Sequence, residues 1–329
     1  MIKSEIAKSI ETTNQEAQYD SCVKKLLSEK IILAWILKEC VEEFKPFSIK
    51  QIMQESFEDE PQISTVAVDQ DELDYEEGSA DKNFEEGGSS RIEGMNTEDN
   101  SVREGKVFYD IRFVARVPGT KEPVRLIVNL EAQKSSKTSY PIIKRAIYYV
   151  SRMISAQKNR IFTKSHYEKI RKVCSIWIQM NVDEETANTI TEYSIAEKNI
   201  VGNVREKKTD YDLLSVVMLR LGNADQAKNE PILRLLDVLL SREKQPEEKK
   251  EILERDFDIP MTVAMKEEVQ VMCNLGEGIY EQGERKKAVE IAKNLIFIGT
   301  LTDEQIASST GLTVEEVKEL KVSSNLQPV

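Results

Sequence analysis

Asp110, Glu131 and Gln133 are the residues whose types and spacing could do chemistry in this sequence. Glu131 and Gln133 close an apolar run, "LIVNLEAQ" (126–133). On a strand, alternate side chains point to the same face. Ile127, Asn129, Glu131 and Gln133 then share one face, and Leu126, Val128, Leu130 and Ala132 the other. Asp110 lies in a second strand-like run, "KVFYDIRFVARV", joined to the first through "PGTKE". If Pro118 and Pro123 flank the turn of an antiparallel hairpin, paired residue numbers sum to about 241. That register sets Asp110 opposite Glu131, with side chains about 5 Å apart. Two opposed carboxylates repel unless a cation neutralises them, and hard oxygen donors suit Mg²⁺ or Mn²⁺. Gln133, one step along the same face, could position a water or a phosphate oxygen, whereas Lys134 points to the opposite face. A slip of one residue would turn Glu131 away.

Several elements must position these groups. "DSCVKKLLSEKIILAWILKECVEEF" reads as one amphipathic helix, with Val23, Leu26, Leu27, Ile31, Ala34, Trp35, Leu37, Val41 and Phe44 at helical spacing. "IKQIMQESF" predicts a short second helix. "SYPIIKRAIYYVSRMISAQ" predicts a third, with Pro141 near its first turn. "YEKIRKVCSIWIQM" begins helical and ends as an apolar strand, and the remainder is expected to be mostly helical. Near the C-terminus, Thr302 and Thr313 each precede Gln or Glu by three residues, which marks two capping boxes. Gly311 falls between them as a helix C-cap should. The pair has a helix-turn-helix outline, but Glu315, Glu316 and Glu319 equip the second helix poorly for a major groove. Packing or assembly is the favoured role there.

Charge is distributed unevenly over the 329 residues, whose net formal charge is −12. Residues 55–104 carry 17 acids and 3 bases, a net of −14, which leaves +2 for the rest. Such a stretch reads as a flexible insert, either a solvated loop or an acidic screen over a basic cleft. From Lys134 to Lys172 the bias reverses: 11 cations stand against Glu168 alone, a net of +10. That run, interleaved with Tyr140, Tyr148, Tyr149 and Tyr167, is a candidate phosphate-binding surface or a plain solvated face. Arg145, Tyr148 and Arg152, with Ser155 or Ala156, fall along one expected stripe of the third helix, where Arg145 and Arg152 could hold phosphates. The four cysteines are far apart and lack a CxxC partner, which argues against a zinc site or a disulfide framework. Free thiols, no apolar leader in "MIKSEIAKSIETTNQEAQ" and no run long enough to span a bilayer predict a cytoplasmic protein. The single histidine, His166, is expected on the surface.

The acid–acid–amide constellation resembles the PD-(D/E)xK nucleases. The surrounding text is similar to one bacterial branch, the recombination-promoting nuclease and transposase family. The likeness runs through "TEDNSVREGKVFYDIRF", "LIVNLEAQ", "YPIIKRAIYYVSRMISAQ" and "YEKIRKVCSIWIQ", and extends to "EGIYEQGERKKAVEIAKNLIFIGTLTDEQIASSTGLTVEEVKEL". It implies an α/β (α+β) fold, with a small central mixed sheet flanked by helices and a mostly helical C-terminal region. The implied divisions are 1–54 (N-terminal helices of the core), 55–104 (acidic insert), 105–200 (hairpin, basic helix and further strand), 201–321 (helical region) and 322–329 (tail). It also implies Asp110 and Glu131 as metal ligands, with Gln133 at the position usually held by lysine, and Tyr109 where the founding motif has proline. The branch commonly carries glutamine, yet a neutral amide can only hydrogen-bond where lysine would stabilise developing charge. An acid on the first helix often completes such sites; Glu29 and Glu39 are the candidates, while Glu98, Asp99 and Glu104 lie just before Asp110.

The resulting expectation is a Mg²⁺-dependent DNA endonuclease, with Mn²⁺ as an alternative ion and Lys134, Lys137, Arg145, Tyr148 and Arg152 on the DNA. No membrane and no small-molecule organic cofactor are expected, and self-association is left open. The alternatives are a DNA-binding or assembly protein with a decayed nuclease site, and an unrelated helical interaction protein.

Overall fold

The computed structural model of the chain describes residues 5–57, 62–63, 98–101, 105–119, 125–135, 138–222, 230–241 and 244–324. These fall into two units, residues 20–269 and residues 1–19 with 270–329. The acidic segment from 64 to 97, Glu104, Lys137 and the tail from 325 lie outside the described residues.

The larger unit is organised by a mixed sheet. Its strands are β1 (Gln62–Ile63), β4 (Ile111–Arg116), β5 (Arg125–Ser135), β6 (Val173–Asn181), β7 (Thr189–Ser194) and β8 (Leu214–Arg220), in the order β1-β4-β5-β6-β8-β7. β5, β6 and β8 run parallel, β4 is antiparallel to β5, and β7 is antiparallel to β8. The middle strands are apolar on both faces, as "VCSIWIQM" and "LSVVMLR" show, because helices cover a parallel centre. β4 and β5 pair from Ile111↔Leu130 to Arg116↔Arg125, the register expected from the turn.

Three expectations are corrected. The run 106–117 is not one strand: β3 (Gly105–Phe108) pairs with β2 (Glu98–Ser101), and Tyr109 and Asp110 fall between β3 and β4. Glu98 and Asp99 are therefore ladder positions of β2, paired with Phe108 and Val107. The single N-terminal helix is three pieces: α1 (Glu5–Ser28), α2 (Lys30–Cys40) and a 3₁₀ turn over Glu42–Phe44. Glu29 breaks it by adopting ψ 129°, and its carbonyl then accepts the Leu33 N–H at 2.9 Å to start α2. Finally, the stretch beyond residue 200 is not mostly helical at its start. β8 lies there, between β6 and β7, so a boundary at 200 would cut the sheet.

The short α3 (Ile49–Glu55) begins with a capping box on Ser48 and Gln51, and its C-cap residue, Ser56, accepts the Arg116 N–H at 2.8 Å. The crossover from β5 to β6 is α4 (Ile142–Ser155). Its buried Ile142, Ala146, Tyr149, Val150 and Met153 recur every three to four residues and pack on Val173, Trp177, Val216 and Met218 of β6 and β8. After the brief α5 (Lys208–Tyr211) and β8 come α6 (Pro231–Leu240) and α7 (Pro246–Phe257), both with Pro in the first turn. A fully buried lysine ties them. Lys249 of α7 donates to the Leu239 and Ser241 carbonyls at 3.0 and 2.6 Å, satisfying acceptors at the α6 C-terminus. Lys249→Met should lower unfolding free energy by about 1–3 kcal/mol in urea melts, because it strips that donor from buried carbonyls. A change within about 0.5 kcal/mol would show that the contact is idle.

In the smaller unit, α8 (Val263–Ile298), which begins in the larger unit, contributes Ala292 to a core completed by α9 (Asp303–Thr310) and α10 (Val314–Ser324). Both expected capping boxes form: Thr302 with Gln305, and Thr313 with Glu316. Gly311 closes α9 at φ +75°, a conformation glycine reaches without strain. Glu316 also pairs with Arg285, and the Thr313 N–H holds its carboxyl below the usual range. Two of the charges on this hairpin, Glu316 and Lys321, are thus spent inside the unit, Lys321 on Asp303. The four cysteines are free and buried, and burial raises the Cys174 thiol to about 12. Among the described residues, no helix is long and apolar enough to cross a membrane.

Candidate active site

The ladder between β4 and β5 stops at Ile111↔Leu130, and two carboxylates continue it. The backbone N–H of Asp110 donates to Glu131 Oε1 at 3.2 Å. The backbone N–H of Ala132 donates to Asp110 Oδ2 at 3.0 Å. Each acid thus accepts a main-chain amide from the other's segment, Glu131 from Asp110 and Asp110 from Ala132 of β5. Both are deeply buried, Asp110 at 6% exposure and Glu131 at 3%. Burying two like charges this close is costly unless cations offset them.

One cation comes from α1. Lys24, 2% exposed, places its Nζ 2.8 Å from Asp110 Oδ1. The helix residue meeting the strand acid is therefore a lysine, not Glu29 or Glu39. Glu29 ends α1, and Glu39 lies half-buried on α2. A signal for Lys24 exists in the sequence. It follows Asp20 by four residues and precedes Leu27 by three, so it interrupts the apolar face of α1 at a core-facing position.

Register places the neighbours. Glu131 pairs with Trp177, which pairs with Met218, so the three share a sheet face. One step along, Gln133, Gln179 and Arg220 form a polar row toward the C-terminal ends of the parallel strands. In open sheets of parallel strands, that end is where ligands bind. The side chains of Gln133 and Lys134 lie outside the described residues, so only their backbone positions in β5 are placed.

α4 covers the Glu131 face, but not with the expected stripe. Tyr148 is 45% exposed, while Arg152 is buried to 4% and Arg145 is half-buried. The tyrosine aligned with both arginines is Tyr149, which meets Tyr109 edge-on at 5.4 Å and Trp177 at 5.5 Å. Arg145 stacks over Tyr149 and Trp177 at 5.2 and 5.4 Å and donates to the hydroxyls of Tyr149 and Tyr140. The three residues are thus a rigid wall beside Glu131, with Tyr148 and Lys144 turned outward. The rest of the cationic run is divided. Lys172 is neutralised by Glu43 and Asp212, each at 2.8 Å, in a cleft of about 580 Å³ at the start of β6 and β8. Lys144, Lys158, Arg160, Lys164 and Lys169 remain exposed. His166 is exposed beside Glu168, as expected.

The donor set fits a hard divalent ion. Asp110 and Glu131 are tied to neighbouring main-chain amides, and each carboxylate oxygen that accepts an N–H keeps a second lone pair. Among the described residues, no group of three or more His, Cys, Asp or Glu could hold a metal. The pair would therefore bind an ion that keeps several waters, as Mg²⁺ does.

A mixed sheet flanked by helices, with one acid just ahead of β4 and the other on β5, defines a PD-(D/E)XK nuclease-like fold. A family model described as PD-(D/E)XK nuclease family transposase matches residues 101–294. That covers more than half of the chain, and the chain belongs to this family, which gives it a nuclease- or transposase-type function. Comparisons with curated proteins and with solved structures found no match.

Proposed function

We propose that the chain is a metal-dependent endonuclease that hydrolyses phosphodiester bonds of DNA during recombination or transposition. The observation that carries this reading is the reciprocal hold of Asp110 and Glu131 through main-chain amides at Asp110 and Ala132, which fixes two buried carboxylates side by side at the end of the β4–β5 ladder. Mg²⁺ or Mn²⁺ held there would supply a more acidic water and neutralise charge on the phosphate. Gln133 orients that water or a phosphate oxygen by hydrogen bonding and adds no charge. Arg145 and the aromatic wall keep the Glu131 face dry on one side, which strengthens every charge interaction within it. DNA would approach along Tyr148, Lys144 and the C-terminal end of β5, where Lys134 lies. Arg145 reaches it only from the edge, and Arg152, buried in the packing of α4, is not part of that surface.

The alternative is a nuclease-like DNA-binding or assembly protein with little turnover. The amide at Gln133 in place of lysine favours it. Supercoiled plasmid incubated with the purified chain and Mg²⁺, Mn²⁺ or EDTA separates the two. The endonuclease reading expects nicking with either ion and none with EDTA. Intact plasmid in both ions, with retained DNA binding, selects the alternative.

A further inference from the structure

We infer that Lys24 is the counter-ion that occupies the metal-free site, and that a divalent ion must displace it from Asp110 to bind. This rests on the proposed metal site. Three observations converge on it. The Lys24 ammonium is almost fully buried and sits 2.8 Å from Asp110 Oδ1. The other oxygen, Oδ2, already accepts the Ala132 N–H at 3.0 Å and keeps one lone pair, so an ion that takes both oxygens of Asp110, or Oδ1 alone, meets the oxygen Lys24 holds. And β5 offers an amide at Gln133, so the cation at this acid pair arrives from α1 rather than from the strand.

A buried ammonium on a buried carboxylate is a pre-bound competitor for the same ligand. Without metal it offsets the charge of Asp110, and removing either partner takes that offset away. With metal, two cations at one carboxylate oxygen repel, so the ion pair must open for the ion to enter. The arrangement makes metal affinity lower than the carboxylates alone would give. It also makes the metal-free fold more stable than the two acids alone would allow.

Lys24→Met keeps the length and apolar stem of the side chain and removes only the ammonium. Mn²⁺ alone is the probe, titrated calorimetrically into the full chain, with thermal midpoints recorded in EDTA and in Mn²⁺. The expected result for Lys24→Met is Mn²⁺ binding tightened by at least about tenfold. A lower midpoint in EDTA and a larger upward shift on Mn²⁺ than in wild type should accompany it. Equal or weaker Mn²⁺ binding in Lys24→Met, with wild type binding normally, overturns the counter-ion role alone. No binding by wild type overturns the metal site and this inference with it. Should the variant be unfolded in EDTA, refolding on Mn²⁺ addition supports the role, and failure to refold overturns it.

Discussion

Glu131→Ala and Asp110→Ala should each cut metal-dependent DNA cleavage by more than about a hundredfold, because each removes a charged ligand and its share of transition-state stabilisation. The two changes differ in what else they break. Asp110→Ala also takes the acceptor from the Ala132 N–H and removes the carboxylate 2.8 Å from the buried Lys24 ammonium, so stability should fall by several kcal/mol. Glu131→Ala strips the acceptor from the Asp110 N–H and costs less, about 1–3 kcal/mol. Glu131→Gln keeps an acceptor oxygen and removes only the charge, which makes it the cleaner probe. It should lose cleavage as fully as alanine while melting close to wild type. Gln133→Ala should be milder than either acid change, since one neutral hydrogen bond is at stake. Single-turnover plasmid nicking with urea melts alongside reads both quantities. Cleavage within about tenfold of wild type in both acid-to-alanine variants would place the chemistry elsewhere.

The pairing behind these expectations was legible because local rules fix it. Turn residues set the hairpin register, which put Ile111 against Leu130, and Thr302, Thr313 and Gly311 fixed the last two helices through backbone satisfaction within four residues. What escaped reading depends on long-range packing. "LLSVVMLR" is a short apolar run, which period alone cannot separate from a buried helix, and only the sheet shows it wedged between β6 and β7. Tyr148 and Tyr149 are adjacent, so their directions differ by about 100° on a helix, and choosing between them needs the position of β6. Lys24 was hidden for a different reason. A lysine on an amphipathic helix is ordinarily solvated, and its burial follows from an acid 86 positions away. The break at Tyr109 and Asp110 belongs to the same class: strand propensity runs straight through it, and the side-chain bonds to β5 take over from the ladder.

Trp177 joins the core to this site, and Trp177→Ala should cost about 3–5 kcal/mol in unfolding free energy. The indole is fully buried on β6, beside Glu131 in register. Tyr149 packs against it at 5.5 Å and Arg145 stacks over it at 5.4 Å, while its Nε1 donates to Ser175 Oγ at 2.8 Å. Alanine would leave a cavity between two parallel strands and α4. β6 is hydrogen-bonded on both sides, so the backbone can close over that space only in part. It would also leave Ser175 without its donor and Arg145 without half of its stacking surface. Trp177→Phe restores most of the volume and the face that Arg145 covers, but not the N–H, so it should recover all but about 1–2 kcal/mol. The change has a reading at the site as well. Tyr149, Arg145 and Trp177 hold the wall on the Glu131 face, and when that wall loosens, water enters and charge interactions weaken. Cleavage by Trp177→Ala should then fall even at temperatures where the variant is fully folded, with Trp177→Phe intermediate. A destabilisation below about 1 kcal/mol would mean that α4 collapses onto β6 and that the aromatic wall is not a rigid element.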